Sequence, residues 1–82
     1  MKSFEQIREI INQWDPIDLL ELNPVEDEYD DEVREIKNAL TSCSSADALA
    51  ESIKASFEKW FAEDFQRPLS ECREVALKIL EG

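Results

Sequence analysis

Apolar residues return along this chain at intervals of three and four, not two, and the pattern predicts helices rather than strands. Phe4, Ile7, Ile10, Ile11 and Trp14 share one face of a first helix. Ser3 precedes that run and Gln6 follows it by three, the spacing of a reciprocal capping box. Pro16 disfavours helical geometry at Asp15, so this helix should stop near Trp14. Between Asp15 and Asn23 a short helical turn is expected, with Asp15 as cap, Pro16 at the first helical position and Asp18 near the free amides. Ile17, Leu19, Leu20 and Leu22 would pin it to the core.

The next face is Tyr29, Val33, Ile36 and Leu40. Its helix has three candidate starts: the cap and proline of Asn23 and Pro24, Asp27, or Asp30. A polar connector, Thr41 to Ser45, leads to a third helix, with Ser44 and Asp47 in capping-box register. Leu49, Ala50, Ile53, Phe57, Trp60 and Phe61 form its stripe, the most aromatic in the chain and the expected backbone of the core. Trp60 and Phe61 diverge by about 100° on a helix, so one of them, or Phe65, should reach the surface. Pro68 ends the pattern, Ser70 is placed to cap again, and Cys72, Val75, Ala76, Ile79 and Leu80 define a last inner face. The predicted fold is all-α, a small four-helix bundle with an extra short helical turn after the first helix.

Length fits that picture, since 82 residues hold one hydrophobic core and hence a single domain spanning 1–82. Nothing resembles a membrane-spanning run, and the start of the chain turns polar by Glu5, so a cytoplasmic protein is expected. Cys43 and Cys72 lack the close pairing of zinc or redox sites. Cys72 reads as a buried small hydrophobe, whereas Cys43 precedes a helix start without a basic neighbour to activate it.

Charge changes the picture more. Of the formal net charge of −11, residues 15–35 carry −9, ten acids against Arg34 alone. Such a field repels nucleic acid and anionic membranes and steers a basic partner. The absence of histidine removes the commonest general base and most zinc chemistry. With Gly82 as its one glycine, the chain has no phosphate-cradling loop, and the acids from Glu26 to Glu32 lack the glycine of a calcium-binding loop. No catalytic residue, metal ligand or cofactor is expected, and the protein reads as a non-enzyme. The acidic run reads first as a solvated helix start, favoured by the helix dipole, and second as a contact surface for a basic protein. Its candidate partner-binding residues are Asp15, Asp18, Glu26, Asp27, Glu28, Tyr29, Asp30 and Asp31. Tyr29 has two readings, a core anchor or an aromatic presented among acids.

The string Trp14, Asp15, Pro16, Ile17, followed by Glu26, Asp27, Glu28, Tyr29 and Asp30, and by Glu71 and Cys72, resembles small uncharacterised bacterial proteins of the YugE-like domain-of-unknown-function family. The resemblance spans essentially the whole chain and implies a small helical fold without implying any catalytic residue. A related pattern in small acidic proteins thought to act as toxin immunity factors brings in an inhibitor reading. Four functions follow in order: an interaction module offering residues 15–35 to a basic partner, a toxin-immunity inhibitor, a divalent-metal regulator or enzyme, and a homodimeric structural protein closing around Trp60 to Phe65. The chain is expected to be a monomer or a homodimer.

Overall fold

At the start of the chain the capping box closes as its spacing predicts. Ser3 Oγ accepts from the Gln6 amide at 3.2 Å, and Gln6 Oε1 accepts from the Ser3 amide at 2.9 Å. Both satisfy donors that a helix end leaves without partners. In the computed structural model, which describes residues 2–22, 27–42 and 45–81, this helix is α1, Phe4–Trp14. It is followed by the short α2, Leu19–Leu22, by α3, Asp30–Leu40, and by α4, Ala46–Phe61. A 3-10 turn, Ala62–Asp64, and α5, Leu69–Leu80, complete it. The architecture is the expected all-α bundle of four main helices with a short helical turn after the first.

The helix junctions depart from expectation in instructive ways. Asp15 does not open a helix; it closes α1 in the left-handed conformation (φ 45°, ψ 61°), its amide bonded to the Ile11 carbonyl at 2.8 Å. Its carboxylate still reaches forward to the Leu20 amide at 3.2 Å, so α2 is capped across a turn that delays its start to Leu19. Asp18 is left-handed too, at φ 60°, a conformation aspartate adopts more readily than most residues. Of the three candidate starts for the next helix, Asp30 is the one used, while Asn23, Pro24 and Glu26 lie outside the described residues. The residue before it, Tyr29, makes no side-chain cap because its ring is in the core.

The cap of α4 is Ser45 rather than Ser44, which lies outside the described residues; Ser45 Oγ accepts from the Ala48 amide at 3.2 Å. Asp47 is thereby released from capping and pairs instead with Arg73 of α5 at 2.6 Å. Ser70 does not cap α5, which already begins at Leu69; the Pro68 carbonyl accepts from the amides of Glu71 and Cys72. Proline's fixed φ, here −72°, sets the extended residue that a helix start needs. Ala62, at φ 48° and ψ −119°, ends α4 in a region hostile to a Cβ. Ala62→Gly is expected to raise the unfolding free energy by about 1 kcal/mol, read by urea denaturation, because relief of strain outweighs the added freedom of the unfolded chain.

Cross-helix pairs give the order of the bundle. Arg8 with Asp30, and Lys37 with the Lys2 carbonyl, run α3 antiparallel to α1. Ser56 with Glu35, and the Phe61 ring against Tyr29, run α4 antiparallel to α3. Trp14 with Glu71, and Lys2 with the Glu81 carbonyl, bring α5 back against α1. At the centre, Phe57 stacks on Phe65 at 5.2 Å and meets Trp14 and Tyr29 edge-on at 5.5 and 5.8 Å, the arrangements that aromatic quadrupoles favour. Leu80 falls outside the core, because the inner face of α5 follows Cys72, Val75, Ala76 and Ile79 and the next residue turns away by about 100°. Leu69 and Leu77 are exposed beside it.

Candidate interaction surface

The polar residues at the α1–α2 corner work inward. Trp14, half-buried, donates its indole N–H to Glu71 Oε1 at 2.9 Å, tying the end of α1 to the start of α5 across 57 positions of sequence. Tyr29 is fully buried, and its hydroxyl donates to Asp15 Oδ1 at 2.5 Å while accepting from the Ile17 amide at 3.2 Å. Burial and the adjacent Asp15 carboxylate push that phenol well above its ordinary range. Arg67, leading into α5, donates to the Pro16 carbonyl at 3.1 Å and stands 3.9 Å from the carboxylates of both Asp18 and Glu71. The tryptophan, aspartate and proline string is therefore a staple, its side chains and carbonyls holding the corner onto α3 and α5.

This divides the sequence-predicted site residues into two groups. Tyr29 is the core anchor, and Asp15 is spent on it and on the Leu20 amide. Asp30 is forked by Arg8, Nε to Oδ1 at 2.9 Å and Nη2 to Oδ2 at 2.6 Å, the geometry in which an arginine pair is strongest. Asp18, Asp27 and Asp31 are exposed and Glu28 is half-buried. Glu26 lies outside the described residues. Asp31 meets Arg34 at 3.0 Å with both side chains more than half exposed, a pair that contributes little and leaves the carboxylate open to exchange partners. Asp18 and Asp31 thus stand at one end of the bundle, the first beside the Tyr29 hydroxyl's partner Ile17 and the second two residues past Tyr29.

One pairing was not legible in the sequence, although both of its members were marked there, Glu35 as an acid and Trp60 as a candidate for the surface. Glu35, one helical turn beyond Asp31, accepts from Ser56 Oγ at 2.9 Å, Lys59 Nζ at 3.2 Å and the Trp60 indole at 2.8 Å. Led by the indole hydrogen bond, these donors hold its carboxyl below the usual carboxylate range. Trp60 is the apolar residue that reaches the surface, 49% exposed, while Phe65 is buried and Phe61 packs half-buried against the core. The Lys59 ammonium sits 5.3 Å from the centre of its ring. No rule of spacing links Glu35 to Trp60, since the pairing depends on how α3 and α4 dock.

Glu32 is only 3% exposed, and its Oε1 has no hydrogen-bond partner. Burial, together with the like charges of Asp31, Glu35 and Asp30, pushes its carboxyl up to about 7. A signal was present here: Glu32 lies three residues after Tyr29 and four before Ile36, within the apolar stripe. Cys72, fully buried, has its thiol pushed up to about 11 by burial, which keeps it protonated and unreactive. Among the described residues, no three acidic or cysteine side chains gather so as to hold a metal ion, and no helix is long and apolar enough to cross a membrane.

A small helical bundle with an inward polar staple and an outward acidic end defines a class of domain more than a chemistry. The chain belongs to the family described as a domain of unknown function, DUF1871, which matches residues 6–81. Comparison with curated proteins and with solved structures returns no match.

Proposed function

We propose that this domain is a non-enzymatic protein-interaction module whose outward acids at the α2–α3 end meet a basic partner. The observation that carries this reading is the division of labour among the acids. Asp15 and Asp30 are committed to internal partners, whereas Asp27 faces solvent and Asp18 and Asp31 keep only exposed ion pairs, with Arg67 and Arg34, in the segment that carries nearly all the excess charge. Acids at the start of α3 also interact favourably with its dipole, which accounts for some clustering at Asp30 to Glu32 but not for Asp18 or Asp27. Like charges held together cost stability through self-repulsion, and a basic partner offsets that cost.

The test is affinity capture from the source cell with quantitative mass spectrometry, comparing wild type with an Asp18→Asn, Asp27→Asn, Asp31→Asn variant. The expected result is a partner rich in lysine and arginine that the variant no longer retains, and that salt releases once the screening length falls to about 3 Å, near 1 M. Retention of the same proteins by both forms would remove the acidic end as the working surface.

A further inference from the structure

Trp60 is the largest exposed apolar side chain of the described residues, yet it is not loose. Its indole N–H is held by Glu35 at 2.8 Å, and Glu35 is itself fixed by Ser56 and Lys59. Lys59 also covers part of the ring. A half-exposed tryptophan whose polar atom is already satisfied presents a flat apolar plate in one orientation, so a partner that covers it loses little side-chain freedom on binding. The aromatic packing at this end of the bundle is made by Phe57, Phe61 and Phe65, and Trp60 stands outside it.

The surroundings of the plate decide what it fits. Glu35 bonds it directly, Asp31 lies one turn back along α3, and Glu63 and Asp64 are exposed in the turn just beyond α4. The nearby cations Arg34 and Lys59 are ion-paired to Asp31 and Glu35. An apolar plate between acidic margins is complementary to an apolar side chain flanked by lysine or arginine. A basic amphipathic helix places these together, with cations three and four residues from each apolar anchor.

We infer that Trp60 is the apolar anchor of the acidic surface and that the partner's contacting segment is a basic amphipathic helix seated across α3 and the end of α4. This rests on the interaction-module reading and adds its contact geometry. The acids supply attraction at long range, and Trp60 supplies the short-range contact that distinguishes an amphipathic segment from any polycation.

The test uses two lysine and leucine peptides of identical composition, one with leucines at helical spacing and the other scrambled, titrated into the full chain by calorimetry. Wild type is expected to bind the amphipathic peptide at least about tenfold more tightly than the scrambled one, the size of effect that a buried aromatic anchor provides. Trp60→Ala should erase that preference and keep the weak binding common to both peptides, with its helical circular dichroism unchanged. A Leu77→Ala, Leu80→Ala variant, which alters the exposed face of α5, should bind as wild type does. Undiminished preference in Trp60→Ala would overturn the anchor while leaving the acidic surface standing. Loss of preference in the α5 variant would overturn it by moving the contact elsewhere. If neither peptide binds wild type, the basic-partner reading falls and the anchor with it.

Discussion

Replacing Glu32 with Gln is expected to make the protein's advantage over wild type grow by about 3 kcal/mol between pH 4 and pH 8. The sign follows from where the proton is held. In the folded protein the Glu32 carboxyl is raised to about 7 from an ordinary value of 4.5, because the side chain is buried, surrounded by acids and left with one oxygen unbonded. Below the ordinary value both folded and unfolded chains carry the proton, and the group does not affect stability. As pH rises through that value the unfolded chain ionises while the folded one does not, so folding is progressively penalised until Glu32 ionises in the folded state near 7. Glutamine has nearly the same shape and does not titrate, so its own desolvation cost is the same at every pH and cancels from the comparison. Urea unfolding of both forms at four or five pH values reads the difference. A gap between the two that does not change with pH would mean that Glu32 is solvated.

Tyr29→Phe is expected to lower the unfolding free energy by about 2 kcal/mol, the usual cost of stranding hydrogen-bond partners in a protein interior. The ring would still fill its place against Phe57 and Phe61, so nearly all of the loss would come from one oxygen. That oxygen joins Asp15 to the Ile17 amide, and without it the corner between α1 and α2 loses its tie to α3. Amide hydrogen exchange should therefore speed up at Ile17 and Leu20, with Leu49 and Ile53 changing no more than the global loss requires. Uniform acceleration would place the effect in the core instead of the corner.

The helices were legible because their signals are local. Ser3 and Gln6 close a capping box within one turn, and the stripes of α1, α3 and α4 follow helical spacing closely enough to identify Ile7, Val33, Ile36 and Phe57 as core, whereas Tyr29 kept two readings until its ring was seen to be buried. Junctions were harder, since several residues there can each accept the same amides: Ser45 took the place expected of Ser44, and Pro68 that of Ser70. The tryptophan, aspartate and proline string was visible as a pattern, but its purpose was not. Trp14 finds its partner at Glu71 and Pro16 finds Arg67, pairings that exist only once α1 and α5 lie side by side. The acidic segment was likewise visible as a charge of −9, while its division into acids that build and acids that face outward depended on which of them Arg8 and Tyr29 could reach. Trp60 lay within an apolar stripe and was recognisable as exposed only in choosing between it, Phe61 and Phe65.

On the proposed reading the working surface runs from the outward acids at the start of α3 to the pinned Trp60, and not along the exposed leucines of α5. Two-dimensional nitrogen–proton NMR during titration with the amphipathic lysine and leucine peptide tests it in one measurement, because every amide and both indoles report separately. Saturable shifts are expected at the Trp60 indole and at the amides of Asp27, Asp31 and Glu35, with the Trp14 indole, bound to Glu71, left in place. Shifts confined to Leu69, Leu77 and Leu80 would contradict it.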